Sequence, residues 1–403
     1  MTPEHSISKT RLAPSGRSRV ALALTAAAAL GRFELQVCAS CGTVQYPPRE
    51  ACHRCLSVQL DWTLQSGDGE LISETTLAHS HEEFFRKRLP WRIGLVRLEC
   101  GPTVVVHVHG DVAPAPARVR VTARLDRSGQ VALIAIPTQE LSRMAEDKQL
   151  REMTCDPRSR SVLVTDAKTA TGQALVRAAL AAGAVAVWAG HSGERERGDG
   201  LDELQNFAQV TLVPLDITCS ASVEQTAAEI GGRIDILINN AELHQVDRPQ
   251  TVETARVEMD LNYFGLLRLA LAFGPRMRGR ATDGESTATA WVNVLSVFAH
   301  SNYPPLGTFS ASKAAAHSLS QCLRAEMQRA GVRVINVFPG PIDDERNQSL
   351  SLPKLSPEAL ARATVKALQD GVEDVYPGDV AQEWLARWRE NPKVLERELA
   401  EGL

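Results

Sequence analysis

Four cysteines carry the clearest chemistry in the sequence. Cys38 and Cys41 form one CxxC pair and Cys52 and Cys55 a second, with ten residues between the pairs. Each pair turns its backbone so that both sulfurs face one point, and four thiolates complete a tetrahedral shell around zinc, or iron in its place. Such a shell leaves no open coordination position, so the expected role is structural. The remaining four of eight cysteines, Cys100, Cys155, Cys219 and Cys322, are scattered singly. A secreted disulfide framework would spread pairs through a smaller chain, so this usage points to a reducing compartment and to the cytoplasm. Two HxH pairs, His79/His81 and His107/His109, place imidazoles on one face of a strand. No carboxylate or cysteine accompanies them at ligand-like spacing, and they read as ordinary surface or barrel histidines.

The elements that must position the cysteines lie in the first third of the chain. A length of 403 residues predicts two or three domains. Residues 1–18 are polar and read as a flexible tail. "VALALTAAAAL" (20–30), preceded by Arg11, Arg17 and Arg19, has the look of a short secretory core. It reads better as a helix, because alanine and leucine are strong helix formers. That helix and the cysteine knuckles make up residues 19–63. Residues 64–137 hold five β-branched runs (69–78, 92–100, 103–110, 118–126, 130–137), which predict a small OB-like barrel. Residues 138–160 are charged and unpatterned and read as a linker.

From Ser161 the texture changes. Short apolar strands such as "SVLVT", "VAVWAG", "IDILINN" and "VRVINVFPG" alternate with helical stretches to the end of the chain. That alternation predicts a doubly wound parallel sheet of Rossmann type over 161–403. The class is therefore α/β, with a zinc ribbon and a small barrel in front. A formal charge of −4, from 44 basic and 48 acidic residues, gives no reason to expect nucleic acid or an anionic membrane as partner. No run of about 20 apolar residues exists to span a bilayer.

Two family resemblances follow. The order of helix, "GRFELQVCASCG", "YPPREACHRC" and small barrel resembles the zinc-ribbon/OB-fold family that accompanies acyl-CoA enzymes, over residues 19–137. The resemblance implies a non-catalytic partner of thiolase-like enzymes that binds acyl-CoA or shapes its site. Residues 161–403 resemble the short-chain dehydrogenase/reductase family. The matching positions are Asp216 after "VTLVPL", "NNA" at 239–241, Asn262 in "LNYFG", Ser296 in "VNVLS", Lys313, and "FPGP" at 338–341. The tail "ALQDGVEDVYPGDVAQEW" (367–384) also reads as a family C-terminus. The resemblance implies catalytic positions at Asn262, Ser296 and Lys313, and cofactor-binding positions at Thr165, Gly172, Asp216, Asn239, Ala241 and Gly340.

The departures concentrate where the chemistry would occur. In "LGTFSASKAAA" (306–316) Phe309 stands where the family has a tyrosine, thirteen residues after Ser296 and four before Lys313. Phenylalanine keeps the ring but has no proton to give, and a missing general acid costs about 10²–10⁴ in rate. Tyr303 lies outside the signature register. In "TDAKTATG" (165–172), Asp166 and Ala170 replace the first two glycines of the phosphate-binding turn, and Gly172 is retained. A carboxylate about 4 Å from a phosphate charge, at an effective dielectric near 20, repels it by about 4 kcal/mol. Lys168 would offset part of this. His191 and Ser192 do not choose between NAD and NADP, although Arg195 or Arg197 would reach a phosphate. Glu242 replaces the glycine usual after "NNA", beside the nicotinamide half of the site.

Each retained residue also has a purely structural reading. Asn239, Asn240 and Asn262 would tie loops and helices, Ser296 would cap a strand end, and Lys313 would form a surface ion pair. The leading expectation is an accessory subunit of an acyl-CoA-processing system, holding structural zinc and a degenerate dehydrogenase scaffold with NAD(P) doubtful. It would dimerise with itself or with an active relative through the helices that carry 262–273 and 309–327. The alternative is an active NAD(P)-dependent 3-oxoacyl or 3-hydroxyacyl thioester oxidoreductase with an atypical site. A third reading is a sensor that binds nucleotide or acyl-CoA without turnover.

Overall fold

A computed structural model describes residues 18–401 apart from 87, 140–143, 148, 194–199, 245–249 and 284–288. The tail before Ser18, and Arg195 and Arg197, therefore lie outside the described residues. The chain divides into two units, Met1–Cys155 with Gln369–Val372, and Asp156–Leu368 with Glu373–Leu403. Among the described residues no helix is long and apolar enough to cross a membrane.

In the first unit the alanine-rich stretch forms helix α1 (Leu22–Ala29), whose Leu24 and Ala28 join the same apolar core as Phe33 and Leu35. Strands β1 (Glu34–Cys38), β2 (Val44–Gln45) and β3 (Leu60–Leu64) pair antiparallel in the order β2-β1-β3. Next come β4 (Asp68–Leu77), α2 (Glu83–Arg86), β5 (Trp91–Leu98), β6 (Thr103–Val108), β7 (Ala117–Leu125) and β8 (Val131–Pro137). The five strands close into a barrel in the order β4-β5-β6-β8-β7, antiparallel except for β6 with β8. Strand β7 shows how the sequence specifies this. Val119, Val121, Ala123 and Leu125 alternate into the core while Arg118 and Arg120 face out, the period of two that a half-buried strand requires.

Strand β8 is instead buried along Val131–Ile136, on both faces. Its second face is covered by part of the stretch that reads as a linker. Met144, Leu150 and Met153 pack with Trp91, Ile134 and Ile136 in a separate apolar cluster. The linker expectation for 138–160 is corrected here: charged residues dominate the composition, but three well-spaced apolar side chains dock the segment on the barrel.

The HxH histidines take separate structural roles. His79 and His81 meet edge to face, 5.3 Å between ring centroids. His109 Nδ1 accepts from the Asp111 amide at 3.2 Å, and Trp91 Nε1 donates to His107 Nδ1 at 2.7 Å. Burial pushes the His107 pKa from 6.5 down to about 4, and the accepting Nδ1 agrees with a neutral ring. A depressed histidine favours the fold fully above pH 6.5, and that contribution fades as the pH falls towards 4. It amounts to about 3 kcal/mol. Chemical denaturation at pH 7 and pH 4 checks this. His107→Asn removes the titrating group, so its stability should fall less on acidification than that of the wild type.

The second unit alternates strand and helix. Its first half runs β9 (Ser161–Val164), α3 (Ala170–Ala181), β10 (Ala186–His191), α4 (Leu201–Gln205), β11 (Val210–Pro214), α5 (Ser220–Ile230) and β12 (Ile236–Asn239). Its second half runs α6 (Val252–Met259), α7 (Gly265–Asp283), β13 (Ala290–Val294), α8 (Gly307–Gln328), β14 (Arg333–Val337), α9 (Pro357–Asp370), β15 (Asp374–Val375), α10 (Asp379–Glu390) and α11 (Pro392–Glu401). The seven strands form one parallel sheet in the order β11-β10-β9-β12-β13-β14-β15. The order reverses between β9 and β12, and the crevice beyond the carboxyl ends of strands at such a reversal is where this architecture takes ligands. Helix α8 is fixed to the sheet by a buried polar chain. The Ser320 hydroxyl accepts from Asn293 Nδ2 (2.9 Å) and donates to Asn336 Oδ1 (2.5 Å).

Candidate functional site

The four cysteines converge. Their sulfurs all lie within 4.8 Å of one another, with Cys38 to Cys55 at 3.5 Å and Cys41 to Cys52 at 3.6 Å. A tetrahedral zinc shell with sulfur at 2.3 Å has sulfur–sulfur edges of about 3.8 Å, so the donor set fits the ion. The two knuckles are built alike. Gly42 N donates to Cys38 O (2.8 Å) and Leu56 N to Cys52 O (3.0 Å), each from a residue at positive φ, +70° and +61°. Glycine suits that backbone; leucine does not, and Leu56 is held there by the knuckle it closes. Buried Gln45 steadies the second knuckle, its Oε1 accepting from His53 N at 3.0 Å and its Nε2 donating to Gln36 Oε1 at 3.0 Å. The ion's role here is to hold two loops together.

The second candidate site lies at the β9/β12 reversal. Thr165 follows β9, and its hydroxyl donates to Asn239 Oδ1 (3.1 Å) while accepting from the amides of Asn240 (3.1 Å) and Ala241 (3.3 Å). Asn240 clasps the next peptide: its Oδ1 accepts from Asp166 N (3.1 Å) and its Nδ2 donates to Asp166 O (2.7 Å). Thr169 caps α3 by accepting from Gly172 N at 3.1 Å. A Cβ on Gly172 would lie 1.7 Å from Asp166 O, so the backbone leaves no room for a side chain at this position. Asp216 Oδ1 accepts from Thr218 N (2.9 Å) and Thr218 Oγ1 (2.6 Å), a turn before α5. His191 is buried at the end of β10.

The turn that would face a pyrophosphate carries a carboxylate. Burial raises the Asp166 pKa, opposed by the Lys168 amide and by Arg346 and Lys168 nearby. Asp166 thus adds charge, or a proton-sharing acid, where a dianion would lie. A pyrophosphate bound at this turn would lie beside that carboxylate, with Lys168 and Arg346 nearby to offset part of its charge.

The remaining positions gather around a cleft of about 270 Å³, counting its open mouth, whose lining includes Glu242, His244, Ser296, Phe298, Phe309 and Asn347. Asn262 lies in a π-helical turn (Asp260–Phe264) that joins α6 to α7. Its Oδ1 accepts from Leu243 N (3.0 Å), and its Nδ2 lies 2.8 Å from both Leu243 O and Ser312 Oγ. Ser296 Oγ accepts from Phe298 N at 3.2 Å, and Gly340 lies in the cleft wall. Phe309 is buried and packs edge to face on Phe298 and tilted on His244, at 6.5 and 4.9 Å. Tyr303 stacks on Phe298 at 5.2 Å.

Lys313 corrects an expectation. It is not a surface ion-pairing residue: its side chain is 2% exposed. Its Nζ donates to Val294 O (3.1 Å), lies 2.8 Å from Glu242 Oε2, and sits 5.5 Å from the Phe309 ring centroid. Glu242 Oε1 is 3.2 Å from His244 Nδ1, and the Glu242 carbonyl accepts from Arg346 Nη1 at 2.7 Å. Burial opposes ionisation of Glu242, but Lys313, His244 and Arg346 outweigh it and hold the carboxyl well below its usual range.

Residues 160–354 match the family model for short chain dehydrogenase. A crystal structure of a short chain dehydrogenase from Burkholderia cenocepacia in complex with NADP is 34% identical, with a TM-score of 0.54, covering 60% of this chain and 98% of that one. The 1-deoxy-11-beta-hydroxypentalenate dehydrogenase of Streptomyces exfoliatus is 32% identical over 203 residues, 49% of this chain and 72% of that protein. The chain belongs to the short-chain dehydrogenase family. Ahead of this dehydrogenase domain, residues 25–61 match the ChsH2 rubredoxin-like zinc ribbon domain and residues 62–127 the ChsH2 C-terminal OB-fold domain. A further relative, the oxidoreductase EphD of Mycobacterium bovis, is 35% identical over 136 residues, and the match spans 22% of that protein.

Sequence reasoning missed His244, Arg346 and Asn347. His244 Nε2 lies 3.0 Å from Asn347 Oδ1, and Asn347 Nδ2 donates to Asp344 Oδ1 at 2.9 Å. His244 sits in a loop and Arg346 and Asn347 in a single 3-10 turn (Glu345–Asn347), none with a periodic pattern, and the stretch 342–347 after "FPGP" is far from Glu242 in sequence. The one available signal was Glu242 itself, a charge at a position expected to be glycine.

Proposed function

We propose that this protein is an accessory, non-catalytic subunit of an acyl-CoA-processing, thiolase-type system in the cytoplasm. The zinc-ribbon and OB-fold module contacts acyl-CoA and its enzyme, and the dehydrogenase domain serves as a scaffold for pairing with itself or an active relative. The observation that carries the reading is Phe309: the position of the proton-transferring phenol holds a buried apolar ring. Asn262, Ser296 and Lys313 keep the family's positions, yet Asn262 ties Leu243 to Ser312, Ser296 caps a turn, and Lys313 is paired with Glu242. Thr165, Asp216, Asn239 and Ala241 likewise bond within the chain's own loops, Gly172 leaves room for the Asp166 carbonyl, and Gly340 lines the cleft. The similarity of residues 25–127 to ChsH2 domains supports the acyl-CoA association.

A steady-state assay with 3-oxoacyl-CoA and NADPH or NADH tests this directly. The expected result is no turnover above a Lys313→Met control, together with capture of a thiolase-like protein by the full chain. The alternative reading, an active thioester oxidoreductase, draws on the NADP-bound relative. Turnover that disappears in the Lys313→Met variant would establish it and overturn the accessory role.

A further inference from the structure

Glu242 is a charged side chain that lines the cleft, 9% exposed, and its surroundings are arranged for it. Lys313 Nζ lies 2.8 Å from one carboxylate oxygen and His244 Nδ1 3.2 Å from the other, while Arg346 binds its carbonyl at 2.7 Å. Arg346 is held in turn by Asp344, its Nε and Nη2 donating to Asp344 Oδ2 at 3.1 and 2.9 Å. Asp344 also fixes Asn347, which faces His244. The loop carrying Glu242 and the loop 344–347 thus form one assembly whose product is a carboxylate set against the buried lysine.

A tethered carboxylate competes with any external ligand of the same cation at a high effective concentration. An incoming polar group would have to separate Glu242 from Lys313 and leave a buried carboxylate with fewer partners. The same carboxylate would repel a phosphorylated ligand, as would the Asp166 carboxylate in the turn after β9. We propose that Glu242 is an internal ligand: it occupies the Lys313 ammonium behind the cleft and excludes nicotinamide dinucleotides by self-occupation, in addition to the altered phosphate turn. This deepens the scaffold reading, since it names the residue that keeps the domain free of cofactor.

Two measurements on the full chain test it. In the first, NADPH and NADH are titrated by nicotinamide fluorescence into wild type, Glu242→Gly, Asp166→Gly and the double variant. Glu242→Gly is expected to bind at least about tenfold tighter than wild type, in either Asp166 background. In the second, sodium acetate is added to Glu242→Gly, where it should refill the vacated site and raise the melting temperature by about 2–4 °C, against a sodium chloride control. Wild type should not respond. If Glu242→Gly does not fold, Glu242→Gln keeps the volume without the charge and should show the same direction of change in the titration. Saturable micromolar binding to wild type would overturn the inference, as would a gain confined to Asp166→Gly. Binding without turnover would leave the non-catalytic reading standing, whereas turnover by wild type would remove that reading separately.

Discussion

Serine at Cys38 and Cys52 unfolds the knuckle segment between residues 38 and 59. These two sulfurs are the buried pair of the four, 1% and 0% exposed. The sheet they hold has strands of five, two and five residues, too little to supply a core of its own. Structural zinc in ribbons of this kind supplies about 10–16 kcal/mol of apparent binding energy, which is also folding energy. Metal analysis should find one zinc or iron per wild-type chain and none in the double variant. Limited proteolysis should then cut the variant between residues 38 and 59 under conditions that spare wild type. Metal-free wild-type protein with a protease-resistant ribbon would contradict the assignment.

Lys313→Met is the second large effect. It removes the cation nearest Glu242 and leaves a carboxylate, 9% exposed, facing His244 with less charge to balance it. Breaking a buried pair from one side costs about 3–5 kcal/mol, whereas replacing both partners is far less harmful. Glu242→Gln combined with Lys313→Met should therefore recover most of the loss, a coupling readable by a double-mutant cycle in urea. Additive losses would mean that the 2.8 Å contact contributes no coupling energy. Phe309 helps explain why the lysine tolerates this site. Its ring stands 5.5 Å from the ammonium, within the range of a cation–π contact, and a phenylalanine ring supplies that as well as a tyrosine would.

The pair also shows how a buried lysine is accommodated. Glu242 supplies a counter-charge from within the chain, 2.8 Å from the ammonium, so Lys313, Glu242 and the Phe309 ring form one consistent local arrangement.

Much of the architecture was legible because its signals are local. The spacing of Cys38, Cys41, Cys52 and Cys55 determines a four-sulfur site, since two knuckles of fixed length leave little freedom in where the sulfurs point. Period-two alternation in 117–125 determines a half-buried strand, and short apolar strands alternating with helices determine the parallel sheet. The absence of a phenol at position 309 is equally a property of sequence, because no packing gives phenylalanine a proton. What tertiary structure alone decided is which charges meet. Lys313 and Glu242 are 71 residues apart, and Arg346 reaches Glu242 across 104. Loop conformation, not periodicity, brings them together. The same holds for Met144, Leu150 and Met153, in a stretch whose composition says linker while its docking depends on the second apolar face of β8. Local pattern specifies elements because backbone geometry repeats. Pairing between distant loops depends on the whole fold, and there burial turns an unremarkable glutamate into the partner that a buried lysine requires.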